Sequence, residues 1–261
     1  MKKTISGMSA YSKMIEAKLP EKTASYTPIS HSSVISRIRR EIVSAGYIIT
    51  GENYQSTNDG QIAIGSFKIN YKSDPDIDLC ATFLNSYNKQ YAFRFNLGAV
   101  EKTSGNTFML SNSKFGAYKR VHKGSADILA EGKIRDFIKD SDEYWNELVK
   151  RKDFLKRKFS TTTITYDVLG HLFFRDEVLN TMQMNTIRSE MKKPSFDYKC
   201  PQNTAWTLYN HILMSIKDSH PADWMKHLHN VDDVFCDVFG IPSVTEPEVV
   251  SETTIEKVVP F

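Results

Sequence analysis

Between Tyr47 and Tyr118 the apolar residues recur at every second position, and this period limits what the chain can fold into more than any other feature. Successive side chains of a β-strand point to opposite faces, so a period of two indicates strands with one buried face. The alternation is clearest at Ile62, Ile64, Phe67, Ile69 and Tyr71. Gly65 and Ser66 interrupt it, which predicts a β-bulge at that point.

Turn residues divide this segment into successive strands. Residues 77–84 and 91–97 are predicted to be strands, and residues 85–89 between them carry the Asn and Ser that turns prefer. A second turn at residues 103–106 leads into a strand at residues 107–110. The sequence therefore predicts an antiparallel β-meander.

Helical periods lie on both sides of the meander. Ser32 or Ser33 is expected to cap a first helix that ends at Gly46. Its apolar positions recur every three or four residues, at Val34, Ile35, Ile38, Ile42 and Val43. One long helix is predicted at residues 126–159, and shorter helices at 166–174, 177–192, 203–217 and 221–239. The predicted fold class is α+β, with an antiparallel β-meander followed by a long helix and a helical C-terminal part.

Composition divides the chain into four parts. Residues 1–30 are rich in Lys, Ser and Thr and are predicted to be a flexible basic arm. Residues 31–160 are predicted to form an α+β domain, and residues 161–240 a helical part packed on it. Residues 241–261 are predicted to be a disordered acidic tail.

The acids are concentrated near the end of the sequence. Residues 231–261 hold seven Asp and Glu residues and one lysine, a net charge of −6. Because the whole chain has a formal charge of +3, the residues before this segment have a charge of about +9. A basic body of this kind suits an anionic partner such as nucleic acid.

The sequence also indicates a compartment. No apolar run approaches the ~20 residues that cross a bilayer, and the basic N-terminus lacks the apolar stretch of a secretory signal. Cys80, Cys200 and Cys236 are far apart and have no CxxC spacing, so a disulfide framework is not expected. We predict a cytoplasmic protein without a membrane-spanning segment.

The segment from Tyr87 to Lys123 interleaves cations with aromatic rings and holds one acid, Glu101. Cations neutralise phosphates and aromatic faces stack on unpaired bases, so the mixture favours single strands over a duplex. The candidate nucleic-acid-binding residues of this segment are Lys89, Arg94, Lys102, Lys114, Lys119, Arg120, His122, Lys123, Tyr87, Tyr91, Phe115 and Tyr118. The first helix would extend the surface with Arg37, Arg39 and Arg40. The alternative is a sheet with core aromatics and merely solvated lysines.

Catalytic motifs are not apparent. Asp74, Asp76 and Asp78 alternate at a strand entry, where carboxylates could hold Mg²⁺ for a nuclease, although Asp is also an ordinary turn residue. His227 and His229 are two residues apart, and on a helix such side chains diverge, so no zinc site is expected. The sequence has no P-loop, no GxSxG and no Gly-rich dinucleotide turn. We predict no cofactor and no catalytic residue, with the nuclease as the less favoured alternative.

Five local motifs occur in order between residues 80 and 215. They are Asn85-Ser86, Phe93-Arg94-Phe95-Asn96-Leu97-Gly98, Ser111-Asn112, His122-Lys123-Gly124 and Thr204-Ala205-Trp206-Thr207-Leu208-Tyr209-Asn210. In this order they resemble the phage/plasmid-like protein family, a domain of unknown function common in phage and plasmid genomes. The chain departs from that family at Ser111, where members usually have cysteine. The resemblance implies a phage or plasmid origin, with the host cytoplasm as its location, and no catalytic set.

Two further resemblances concern DNA. A curved meander followed by one long helix is similar to the core of the single-strand annealing proteins of phage recombination, which bind the DNA backbone in a basic groove and usually work as rings or filaments. The acidic tail with Pro260 and Phe261 resembles the tail of bacterial and phage single-stranded-DNA-binding proteins, whose tip docks partner enzymes. Such a tail would also compete with DNA for the basic groove.

The predicted function is therefore single-stranded DNA binding in replication or single-strand annealing recombination of a phage or plasmid. The expected partners are single-stranded DNA, further copies of the chain, and replication or recombination proteins at Pro260 and Phe261. The alternative is a phage structural or host-interaction protein that does not bind DNA.

Overall fold

The computed structural model describes residues 4–111, 117–217 and 219–241, with the backbone alone at residues 4, 5, 221 and 222. Within these ranges seven strands form one antiparallel sheet. The strands are β1 (Thr4–Ser6), β2 (Ile48–Thr57), β3 (Ile62–Asn70), β4 (Ile77–Ser86), β5 (Phe93–Glu101), β6 (Thr107–Phe108) and β7 (Ala117–Arg120). Strands β1 to β6 follow one another in the sheet in chain order, and β7 also pairs with β5. The predicted meander is confirmed.

Helices account for most of the remaining described residues. They are α1 (Gly7–Glu16), α2 (His31–Ser44), α3 (Ala126–Lys139), α4 (Ser141–Arg157), α5 (Thr162–Gly170), α6 (Thr181–Lys192), α7 (Ala205–Ile216) and α8 (Pro221–Phe239), with a π-helical turn at His171–Arg175 after α5. An antiparallel sheet followed by helices confirms the α+β class. No helix of the described residues is long and apolar enough to span a bilayer.

The central strands are buried on both faces, and in β4 every residue from Leu79 to Ser86 is buried. On one of these faces the β3–β4–β5 register places Phe67, Phe83 and Phe95 side by side, and none of the three is exposed. Helix α2 contacts this part of the sheet at β2 and β3, and the Phe137 ring of α3 stacks on Phe95 at 6.1 Å. The core continues into the C-terminal helices, where Trp206 of α7 meets Phe108 of β6 at 5.5 Å.

The segment predicted to be one long helix is two helices. Asp140 has φ −93° and ψ 16°, and it ends α3 and precedes α4. The charged residues around the break match the end of one helix and the start of the next. Lys139 lies in the last turn of α3, and Asp142 and Glu143 lie in the first turn of α4. A cation at a helix C-terminus and acids at an N-terminus are both favoured by the helix dipole.

The prediction of a flexible arm at residues 1–30 was wrong for the described residues 4–30. Strand β1 pairs with β2, and α1 buries Ala10 and Met14, which are four residues apart on one helix face. Tyr26 and Ile29 are also buried. The polar composition of this segment concealed the narrow apolar stripe of α1, whose two buried residues lie one turn apart on the same face.

Two local details also differ from prediction. The bulge predicted at Gly65 is absent, because β3 pairs with β4 without interruption, and the register shift lies on β2 between Ile49 and Gly51. The cap of α2 is Ser30, whose hydroxyl accepts the Ser33 N–H. The predicted start of the helix differs from the observed one by two or three residues, which is expected where several serines precede a helix.

His31 joins three separate segments beneath the sheet. Its Nε2 lies 3.2 Å from the Gly60 carbonyl, and its Nδ1 lies 2.9 Å from the Asn85 amide nitrogen. The same amide nitrogen donates to the Ile29 carbonyl at 2.6 Å, so the amide faces His31 as a donor. His31 must therefore be neutral, with its proton on Nε2. Burial lowers the pKa of His31 from 6.5 to about 3.

Acidification should test this assignment. The unfolded chain binds a proton at His31 below pH 6.5 and the folded chain does not until about pH 3, so stability is lost as the pH falls through that window. Between pH 6 and pH 5 the free energy of unfolding of the wild type should fall by ~1.2 kcal/mol more than that of the His31→Gln variant. Urea denaturation of both proteins at the two pH values measures the difference. Equal pH slopes would contradict a neutral buried His31.

Gly65 has a packing role that a substitution should reveal. A Cβ at this position would lie 2.3 Å from the Phe83 ring, which is itself fully buried. We expect Gly65→Ala to destabilise the protein by ~1–3 kcal/mol, because a packed core cannot accommodate the extra methyl group without strain. Gly132→Ala is the matched control, since a Cβ there meets nothing within 4 Å and alanine favours the interior of α3 by ~1 kcal/mol. Equal stability of both variants, measured by urea denaturation, would contradict the close approach.

Candidate nucleic-acid interface

Five of the predicted cations lie on β5, on β7 or in the turns beside these strands. Strand β7 pairs with the first half of β5, so that Arg94 faces Lys119 and Phe93 faces Arg120. Lys89 lies in the β4–β5 turn, and Lys123 follows β7. We call Lys89, Arg94, Lys119, Arg120 and Lys123 the basic end of the sheet.

Arg94 and Lys119 are direct cross-strand partners of like charge. They lie on the face opposite to Phe95, because neighbouring residues of a strand alternate. Like charges at directly opposed positions destabilise a sheet. The stability of the sheet therefore does not explain why two cations occupy these opposed positions.

Within the part of the chain that the structure describes, the cations of the basic end have no acidic partners. Among the residues that the structure describes, none of the five forms an ion pair. The Nε–H groups of Arg94 and Arg120 are buried and donate to no hydrogen-bond acceptor within the described chain. A buried donor without a partner costs ~1–3 kcal/mol, more when the group is charged. An anion bound from outside the chain would remove this cost.

Two aromatic rings accompany these cations at partly open positions. Tyr91 and Tyr118 are half-buried, and Tyr118 meets Phe93 edge-on at 6.3 Å. Tyr26, which the sequence did not single out, lies 4.6 Å from the Lys89 ammonium and positions it. Only the fold brings Tyr26 to this place, because it is more than sixty residues away in the chain.

Tyr87 and His122 belong to the scaffold and not to the surface. Tyr87 is 5% exposed, stacks on His31 at 3.7 Å and accepts the His31 backbone N–H at 2.8 Å. The His122 ring is 6% exposed and lies 5.6 Å from Tyr26. Burial lowers the pKa of His122 below 6.5, so the ring is neutral and offers no charge to a phosphate. The prediction that these two side chains touch nucleic acid is corrected.

Lys102 lies at the other end of the sheet. It follows the last residue of β5, eight positions from Arg94, a separation of ~26 Å along a strand. Its ammonium donates to the Asp74 carbonyl at 2.5 Å and lies 3.3 Å from the Asp78 carboxylate. Lys102 is therefore not part of the basic end.

The arginines of α2 are mostly neutralised within the fold. Arg37 pairs with Glu41 at 2.8 Å, and Arg39 pairs with Glu52 at 2.6 Å. Arg40 is exposed. The extension of the surface by α2 is thus reduced to one cation. Lys114, Phe115, Pro260 and Phe261 lie outside the described residues.

The aspartates that suggested a nuclease are held by lysines. Asp74 accepts the backbone N–H groups of Asp76 and Ile77 and the Lys152 ammonium at 2.6 Å. Burial alone would raise the pKa of Asp76, but the nearby lysines lower it below 3.8. Asp78 pairs with Lys68 and Lys102. Within the described chain no group of three His, Cys, Asp or Glu residues could hold a metal ion.

A cleft of about 470 Å³ between β2–β3 and the end of α7 is a second concave site. Gln55, Ser66 and Trp224 line it together with two lysines. Lys68 is paired with Asp78 at 2.8 Å, and Lys217 donates to the Ser104 carbonyl at 2.9 Å. Because both cations already have partners, the basic end is the better site for phosphates.

No family model, curated protein or solved structure matches this chain. The resemblances to the phage/plasmid-like family, to annealing proteins and to tails of single-stranded-DNA-binding proteins stay predictions.

The opposed cations should lower the stability of the free protein. We expect Lys119→Glu to raise the free energy of unfolding by ~0.2–1 kcal/mol, because it replaces a like-charge pair by an opposite-charge pair. Lys72→Glu is the control, since Lys72 pairs with Asp142 at 2.7 Å and its replacement brings two acids together. Urea denaturation at low ionic strength measures both. A loss of stability in Lys119→Glu would show that an acid already compensates Arg94.

Proposed function

We propose that the basic end binds single-stranded DNA through its phosphates. The observation that carries the proposal is the direct opposition of Arg94 and Lys119, neither of which has an ion pair among the described residues. A phosphate between the two side chains would replace their repulsion by two charge-assisted contacts. The buried Nε–H donor of Arg94 would gain an acceptor in the same step.

The aromatic rings favour a single strand over a duplex. Tyr91 follows the β4–β5 turn, and Tyr118 lies on the same face of β7 as Arg120; both are half-buried, which leaves part of each ring accessible. Stacking of an unpaired base on such a ring contributes ~1–3 kcal/mol, and every base has a face to stack. Duplex DNA presents no free base faces, so it would use the cations alone.

Binding of this kind is independent of base sequence and sensitive to salt. Each cation that neutralises a phosphate releases condensed counterions, and added salt opposes that release. Phosphates and base faces are common to every nucleotide, so contacts to them carry no information about base sequence. The proposed complex therefore depends on charge and stacking.

The cellular role that we propose comes from the resemblances in the sequence. They imply replication or single-strand annealing recombination of a phage or plasmid, with several copies of the chain acting together on one strand. The meander followed by helices is compatible with that role. Fold analogy by itself does not establish it.

The experiment compares two double variants that each remove two charges. Lys119→Gln/Lys123→Gln changes the basic end, and Lys72→Gln/Lys150→Gln changes exposed lysines that have acidic partners elsewhere. The logarithm of affinity against the logarithm of salt concentration should become shallower by ~1.4 in the first variant, because each phosphate contact to a single strand contributes ~0.7. Fluorescence anisotropy of a labelled strand of ~30 nucleotides and of its duplex gives the affinities.

The control variant should keep the wild-type salt slope and the preference for the single strand. Equal slopes in both double variants would remove the basic end from the site. No binding of any strand at low salt would favour the alternative of a phage structural or host-interaction protein. Cleavage of the strand in the presence of Mg²⁺ would favour a nuclease.

A further inference from the structure

An apolar groove lies between α5, the π-helical turn and α6, on a part of the molecule that the proposed DNA site does not use. Its volume is about 620 Å³. The apolar side chains that line it include Leu169, Phe173, Phe174, Met184, Ile187 and Met191. Phe174 is 81% exposed and Met191 43% exposed, so the groove is open to solvent. Open apolar surface of this extent marks a place where another segment binds.

The π-helical turn creates the exposed ring. It extends α5 by five residues, from His171 to Arg175, and its wider backbone changes the direction in which successive side chains point. Leu172 remains fully buried, whereas Phe173 packs on the core only in part. Phe174 meets Phe173 edge-on at 4.8 Å and otherwise faces the groove.

The charged groups that line the groove are cationic. Arg188 and Lys192 lie one turn apart on α6 and line it, and both are exposed. Neither has an ion pair within the ranges that the structure describes. An occupant with apolar side chains and carboxylates would match both features of the groove.

The chain itself supplies such a segment close to the groove. Asp237 near the end of α8 lies 3.7 Å from Arg175, the last residue of the π-helical turn. Twenty residues follow Ile241, and an extended chain of that length spans up to ~66 Å. This segment carries Glu246, Glu248, Glu252 and Glu256 against one lysine, followed by Val258-Val259-Pro260-Phe261.

We propose that residues 246–261 dock in this groove on their own chain. Val258, Val259 and Phe261 fill the apolar lining, and Glu252 and Glu256 pair with Arg188 and Lys192. The short connection places the segment at an effective concentration in the mM range, so even a weak intrinsic affinity suffices. This docking does not depend on DNA binding. The residues that were predicted to dock replication or recombination proteins are then held by the protein until a partner displaces them.

Photo-crosslinking of the full chain tests the contact directly. The amino acid p-benzoylphenylalanine is placed at position 174 and, as a control, at the position of Met8, which is 76% exposed and lies on α1. We expect crosslinks from position 174 to residues 250–261 within one chain and none to them from position 8. Absence of these crosslinks would overturn the proposal. In a mixed sample of two isotopic forms of the protein, crosslinks found only between different chains would also overturn docking on the same chain.

Hydrogen exchange provides a second readout that leaves the described core untouched. Backbone amides of residues 252–261 should exchange about tenfold more slowly in the wild type than in Val258→Asp/Val259→Asp, as expected when a ~0.1 mM site meets mM effective concentration. Lys257→Gln is the matched control and should keep the slow exchange, because it removes the only cation of the segment. Identical rapid exchange in all three proteins would overturn the proposal. DNA binding by the same three proteins is measured separately. It shows whether the basic end binds DNA regardless of whether residues 246–261 dock in the groove.

Discussion

The packing of Phe67, Phe83 and Phe95 on one face of the sheet is the interaction on which the rest of the molecule depends. Strand side chains alternate, so burial of Phe93 and Phe95 fixes which way β5 faces. Arg94 then has to point to the other face, and pairing with β7 sets Lys119 opposite to it. The close approach of Gly65 to the Phe83 ring is a consequence of the same layer. The basic end is therefore a result of core packing and not of any local preference for clustered charge.

Buried cations elsewhere in the protein are paired with carboxylates. Lys152 is 2% exposed and binds Asp74, and Arg151 is 6% exposed and binds Asp232. Removal of one partner of a buried pair leaves an uncompensated charge at a cost of ~3–5 kcal/mol, which explains why such pairs are complete. They tie α4 to the loop before β4 and to α8. The cations of the basic end differ from these pairs, because none of them has a carboxylate partner among the described residues.

Two surfaces of the described chain, the basic end and the apolar groove beside α6, have side chains without matching partners. Among the described residues the basic end has no acidic partner, and Phe174 and Met191 of the groove beside α6 are exposed to solvent. The first fits a polyanion that is supplied from outside, and the second fits a segment of mixed acidic and apolar character. Each surface carries a cost in the free protein, through repulsion at one and exposed apolar area at the other, and each cost would be removed by the matching occupant.

The sequence by itself determined the meander, the helical C-terminal part and the basic-aromatic segment, because periods of two and of nearly four residues report directly on which side chains share a face. Only the tertiary structure decided which of those residues act together. It buried Tyr87 and His122, moved Lys102 to the far end of the sheet, and brought Tyr26 beside Lys89. It also turned residues 4–30 into a strand, a helix and core residues, and it left the groove at Phe174 open. Burial and pairing depend on contacts between residues far apart in the chain, and a local pattern carries no information about such contacts.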